Sequence, residues 1–119
     1  MNSSDPGEHP RDPSGFDLTD HVREDVFTDD MRFVDEEMIW ETIRDGREYS
    51  QEGGPGRVRR RLEYDGVDCA VVIDPDCRAV VTAWTEVAST QRALASERWS
   101  ADDIDTILAF EAREHKRGP

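Results

Sequence analysis

The first ordered pattern along the chain is helical. In FDLTDHVREDVF, Leu18, Val22 and Val26 recur four residues apart with His21 on the adjoining side, which predicts a short amphipathic helix starting at Asp17. A second helix is signalled more fully. Asp35 suits its N-cap, Glu36 and Glu37 suit the positive first turn, and Met38, Ile39, Thr42 and Ile43 form one stripe before Gly46 ends it. The glycine-rich GREYSQEGGPG that follows reads as a loop without regular structure.

The period then falls to two. Arg57 to Asp65, Val67 to Asp74 and Arg78 to Val87 are β-rich segments separated by an Asp-Gly turn and by a DPDC turn, and connections this short join antiparallel neighbours. After the polar ASTQRALASER, Ser100 and Asp103 resemble a capping box ahead of a last helix carrying Ile104, Ile107, Leu108 and Phe110. The order predicts an α+β fold: two N-terminal helices, an antiparallel meander of three to four strands and one C-terminal helix, with the helices on one sheet face. Residues 1–16, poor in large apolar side chains, are expected to be a disordered acidic tail. Residues 17–88 form the expected domain, 89–99 a linker, and 100–116 a helix that packs on the domain or on a partner.

Length and composition narrow the setting. A chain of 119 residues has room for one modest core. No apolar run approaches the roughly 18 to 20 residues of a membrane span, and MNSSDPGEHP has no leader-like character, so a cytoplasmic protein is expected. There are 28 acidic against 15 basic residues, a net charge of −13, and Lys116 is the single lysine. Such a carboxylate surface suits a halophilic cytoplasm, where self-repulsion is screened within roughly 3 Å at 1 M salt. Circular dichroism is therefore expected to show the fold strengthening from low to multimolar KCl, and equal folding at both extremes would contradict this reading. It also means that global acidity does not argue against nucleic acid, so local departures from it carry the information.

The main departure is PGRVRRRLEYDG. Period two places Val58, Arg60, Leu62 and Tyr64 on one face and Arg57, Arg59, Arg61 and Glu63 on the other. Arg60 thus sits among apolar neighbours and needs a partner. That partner is either a carboxylate of its own chain or a phosphate, whose developing charge a planar guanidinium could stabilise during RNA cleavage. From Arg44 to Arg61 there are six arginines against Asp45, Glu48 and Glu52, so Arg57, Arg59 and Arg61 either track a nucleic-acid backbone or are a solvated face. His21 is a candidate general acid or base, against the plainer reading of a hydrogen-bonded surface histidine. On AVVTAWTEV, Val80, Thr82 and Trp84 share a predicted face; Thr82 could bond a phosphate and Trp84 stack on a base, or both could be ordinary strand residues. Cys69 and Cys77 have neither zinc nor CxxC spacing and are expected to be free thiols, with Cys69 opposite about Thr82. No metal and no cofactor are expected.

DHVRE on the first helix, IRDG ending the second, the arginine strand, CAVVID and VVTAWTEV together resemble small domains of unknown function grouped with the RelE/ParE-like ribonuclease toxins, within the wider barnase, EndoU, colicin and RelE fold. The resemblance covers roughly Leu18 to Val87. His21 matches the family's helix histidine, and Val81, Thr82 and Trp84 approximate its closing V-T-aromatic step. Asp25 stands where the family has an arginine, with Arg23 two residues after the histidine instead. The resemblance implies metal-independent RNA cleavage, in which a 2′-hydroxyl attacks the adjacent phosphate, and a cognate antitoxin or other protein as partner. His21, Arg60 and Thr82 are then the expected catalytic set, and Arg57, Arg59, Arg61 and Trp84 the RNA-binding set. The alternative is a non-catalytic module that uses the meander to bind protein or nucleic acid.

Overall fold

The computed structural model describes residues 10–29, 32–50 and 56–117, apart from the side chains of Ser50 and residues 114–117. The strands are β1 (Asp17–Leu18), β2 (Arg47–Ser50), β3 (Val58–Tyr64), β4 (Val67–Asp74) and β5 (Ala79–Val87); the helices are α1 (Glu36–Asp45), α2 (Thr90–Ala95) and α3 (Ala101–Arg117). They form an α+β fold around a five-stranded mixed sheet of order β1-β5-β4-β3-β2. The meander β2–β3–β4–β5 is antiparallel, and β1 adds to β5 in parallel.

The two expected N-terminal helices reduce to one, α1. The residues read as the first helix instead supply β1 and a single π-type turn, Val22–Val26, in which the Phe27 N–H donates to the Val22 carbonyl at 3.1 Å. Two non-local bonds compete with the helix: Asp17 N–H donates to Arg78 O at 2.8 Å and Thr19 N–H to Val80 O at 3.3 Å. Val22 and Val26 are nonetheless fully buried, so the apolar spacing located the inward positions and overstated the length of the element. The predicted loop after Gly46 likewise contains β2, whose four residues carry too little alternation to announce an edge strand. Residues 51–55 of that loop lie outside the described residues.

Local chemistry accounts for the ends. Asp35 Oδ1 accepts the Met38 N–H at 2.8 Å and caps α1. Ser100 Oγ accepts the Asp103 N–H at 3.0 Å while Asp103 Oδ2 accepts the Ser100 N–H at 3.1 Å, the reciprocal box that starts α3. The stretch 89–99, read as a linker, contains α2, capped by Ser89. Asp65 and Gly66 turn β3 into β4 with φ of 49° and 91°, both in the left-handed region that a tight hairpin turn requires. A Cβ at Gly66 would lie 2.5 Å from Ala93 N and 2.6 Å from Ser89 O. Gly66→Ala is therefore expected to cost about 2 to 3 kcal/mol, since neither backbone atom can swing away; an unchanged denaturation midpoint would contradict this packing.

The core lies on one side of the sheet. Val58, Val67, Cys69, Val71, Ile73, Val80 and Ala83 join Met38, Ile39 and Ile43 of α1, Ile104 and Ile107 of α3, and the buried Val22 and Val26 in one apolar cluster. The register differs from the expected one: Cys69 pairs with Thr85, and a bulge between Val72 and Ile73 places Thr82 opposite Val72 but Val80 opposite Ile73. One extra residue in β5 thus separates Val80, in the core, from Thr82 and Trp84 on the other face. That second face carries no helix among the described residues. Residues 1–9 of the expected tail are outside the described residues; from Pro10 the chain lies against the domain, Phe16 is 5% exposed, and Arg11 Nη1 donates to Gly46 O at 2.8 Å. No helix among the described residues is long and apolar enough to cross a membrane.

Candidate functional site

The open edge of β5 is where separated polar residues meet. β1 pairs with only the first two residues of β5, which leaves later backbone groups to find other partners. Thr19 Oγ1 donates to Val81 O at 3.4 Å, Arg32 Nη1 to Ala83 O at 3.0 Å, and the Glu111 carboxylate accepts the Val87 N–H at 2.9 Å. Arg32 is held in turn: its Nε donates to Asp29 Oδ2 at 3.1 Å, its guanidinium lies over the Phe110 ring at 5.2 Å, and its carbonyl accepts from Thr85 Oγ1.

Thr82 is the hub of this edge. Its Oγ1 lies 3.1 Å from Arg32 Nη1 and 3.1 Å from His21 Nε2, while His21 Nδ1 lies 3.1 Å from Asp25 Oδ2. Donor and acceptor chemistry permits one consistent direction with a neutral imidazole. An ionised carboxylate can only accept, so the neutral ring carries its proton on Nδ1 and donates it to Asp25, which leaves Nε2 unprotonated. Thr82 Oγ1 then accepts from Arg32, which can only donate, and gives its own proton to Nε2. The network therefore keeps a lone pair on Nε2. The imidazole is accessible, with a side chain 43% exposed, whereas Arg32 is 17% exposed.

His21 and Thr82 border a groove of about 490 Å³ at the end of the sheet, which Arg57, Asp74, Cys77, Ala79 and Val81 also line. Asp74 Oδ1 accepts the N–H groups of Asp76 at 3.1 Å and Cys77 at 3.3 Å, which shapes the DPDC turn. The Cys77 thiol and then the backbone N–H groups hold this carboxyl below the usual carboxylate range.

Of the expected catalytic residues, His21 and Thr82 converge and Arg60 does not join them. Arg60 is completely buried on the helix-covered face. Its Nη1 donates to the carbonyls of Pro10 at 2.6 Å and Ile43 at 2.9 Å, and its Nε and Nη2 fork onto Glu48 Oε1 at 3.2 and 2.8 Å. The partner that the sequence demanded is a carboxylate of the same chain.

The expected nucleic-acid set divides as well. Arg57 lines the groove and is exposed. Arg59 and Arg61 lie across the helix-free face: Arg59 sits over Trp84 at 5.6 Å, and Arg61 over Tyr49 at 5.9 Å while bonding Asp68 at 3.3 Å and Glu86 at 2.7 Å. Beneath them Ala70 and Val72 are 0% and 4% exposed, so these arginines clad a sheet face that no helix among the described residues covers. Burial pushes the Glu86 carboxyl up, but hydrogen bonds from Trp84 and Arg61 outweigh it and hold it low.

Arg32 and Asp25 were not among the expected site residues. Asp25 was legible as the i+4 neighbour of His21, the position where an arginine was expected. Arg32 had no signal of its own, being one arginine in TDDMRFVD with no periodic relation to Thr82, 50 residues on. Among the described residues there is no group of three or more His, Cys, Asp or Glu side chains that could hold a metal ion. Both cysteines are free thiols, Cys69 buried and Cys77 exposed. Comparison with protein-family models, with curated proteins and with solved structures finds no match for this chain.

Proposed function

We propose that the chain is a ribonuclease that needs no metal ion and works at the His21–Thr82 groove. The observation that carries this reading is the convergence of Asp25, His21, Thr82 and Arg32 into one hydrogen-bond chain that passes through an exposed imidazole. An RNA 2′-hydroxyl that takes the place of Thr82 on Nε2 meets a base whose tautomer Asp25 has fixed. The hydroxyl oxygen then attacks the adjacent phosphorus, its proton passes to Nε2, and the 5′-oxygen of the next nucleotide leaves as a hydroxyl with a proton from solvent water, generating a 2′,3′-cyclic phosphate; the imidazolium returns its proton to solvent. Arg57 offers its charge to the phosphate oxygens, and Arg32 keeps Thr82 and the β5 edge in place. The sequence resemblance to RelE-like toxins points the same way.

The test is incubation of single-stranded RNA with the protein in multimolar KCl and a chelator. Fragments ending in 2′,3′-cyclic phosphate and 5′-hydroxyl are expected from the wild type and not from His21→Ala. No fragments from the wild type with any RNA offered, or equal yields from both proteins, would sink the proposal.

A second reading draws on the helix-free face, which concentrates Trp84, Tyr49, Arg59 and Arg61, the residue types that dominate binding hot spots. As a non-catalytic module, the chain would bind a protein or RNA there without cleaving it. Binding that is lost in Trp84→Ala and kept in His21→Ala would favour that reading.

A further inference from the structure

Thr82 and His21 also meet in a way that RNA cleavage does not use. With a neutral ring, Thr82 Oγ1 gives its proton to His21 Nε2 at 3.1 Å, and His21 Nδ1–H donates to Asp25 Oδ2 at 3.1 Å. A hydroxyl, an imidazole that can take its proton and a carboxylate that fixes the tautomer are the three parts of a nucleophilic hydrolase site. One turn of the chain supplies two of them, since His21 and Asp25 stand four residues apart at Val22–Val26. Strand β5 brings the hydroxyl from 61 residues away.

A fourth group acts on the oxygen itself. Arg32 Nη1 donates to Thr82 Oγ1 at 3.1 Å, although Arg32 also has the Ala83 carbonyl and the Asp29 carboxylate as acceptors. It holds a positive charge one hydrogen bond from the atom on which negative charge develops when the proton leaves. Thr82 is partly exposed and lines the groove with Ala79 and Val81, surroundings that suit a small apolar acyl group.

We infer that Thr82 is itself a nucleophile, and that the groove hydrolyses carboxylic esters of short acyl chain through an acyl-threonine intermediate. Thr82 Oγ1 attacks the ester carbonyl carbon while its proton passes to Nε2. The bond from that carbon to the alcohol oxygen then breaks, and the imidazolium gives the proton to the departing alcohol. Water attacks the acyl-threonine next and gives a proton to Nε2. That proton returns to Thr82 Oγ1 as the carboxylic acid leaves. An ester fits better than an amide, because an alcohol oxygen leaves more readily than an amine nitrogen. The inference goes beyond the ribonuclease reading and does not depend on it: there Thr82 yields its place on Nε2, and here it forms the bond.

The test uses the full chain in multimolar KCl with two probes, p-nitrophenyl acetate for turnover and phenylmethanesulfonyl fluoride for trapping. Thr82→Val, His21→Ala and the double variant should all lose ester turnover by about the same factor, on the order of 10² or more, since each removes the same step. Thr82→Ser keeps a hydroxyl and should keep the turnover. Peptide mass spectrometry should find the sulfonyl group at position 82 in the wild type and in Thr82→Ser, with fluoride released, and not in His21→Ala. Undiminished turnover in Thr82→Val would make the imidazole the nucleophile and overturn the inference. Absence of turnover, or of an adduct at position 82, in the wild type overturns it too. Turnover and adduct in a protein that cuts no RNA uphold the nucleophile and sink only the nuclease reading; RNA cleavage with neither does the reverse.

Discussion

Arg60→Leu is expected to destabilise the fold by about 3 to 5 kcal/mol, the usual range when one member of a buried ion pair is removed. The guanidinium is fully buried and holds three groups at once: the Glu48 carboxylate, itself 14% exposed, and the carbonyls of Pro10 and Ile43. Without it, the carboxylate is left near the core with no compensating charge and the two carbonyls lose a donor. These groups come from the N-terminal segment, the end of α1 and β2, so the loss loosens three elements together.

Arg60→Lys keeps the charge but cannot fork, and should fall between the wild type and Arg60→Leu. The double variant Arg60→Leu/Glu48→Leu should recover part of the loss, because the stranded carboxylate is removed with its partner. Urea titration measures all three. A shift of Arg60→Leu within about 0.5 kcal/mol of the wild type, the range of an ordinary surface substitution, would show that the pair does not hold the fold.

The second large effect concerns chemistry. His21→Ala is expected to lower RNA cleavage by about 10²- to 10⁴-fold, the contribution typical of a positioned general base. Arg32→Ala should lose activity as well, for a different reason: Arg32 contacts Thr82 and Ala83 of β5, not the groove, and acts as a positioning residue. Its loss frees Thr82 and the β5 edge, so Thr82→Val and Arg32→Ala together should cost little more than the worse of the two. Arg60→Lys, measured per folded molecule, should leave cleavage near the wild-type level. Strictly additive losses for Thr82 and Arg32, or a His21→Ala variant that cleaves normally, would be incompatible with one hydrogen-bonded unit. Purified Asp25→Asn adds a finer test. It retains an acceptor for Nδ1–H and should lose less than Asp25→Ala.

What could be read from the chain alone followed local rules. The Asp35 cap, the Ser100–Asp103 box and the Asp-Gly hairpin each depend on residues a few positions apart, and all three occur where the pattern placed them. Period two also identified Arg60 as the inward arginine of PGRVRRRLEYDG, because the register of that strand against β4 is unbroken and the alternation holds along it. It could not say which group Arg60 would meet.

That choice, and the site itself, came from contacts between distant positions. Strand β1 formed where a helix was expected because its bonds go to Arg78 and Val80, some sixty residues away. A single bulge in β5 turned Thr82 away from the core that holds Val80, and so made it available to His21 and Arg32. Alternation predicts faces only while the register is unbroken, and one inserted residue exchanges them. Sequence therefore determined which arginine was buried and which histidine stood near a sheet, whereas tertiary structure decided that the arginine holds the fold and that the histidine meets a hydroxyl.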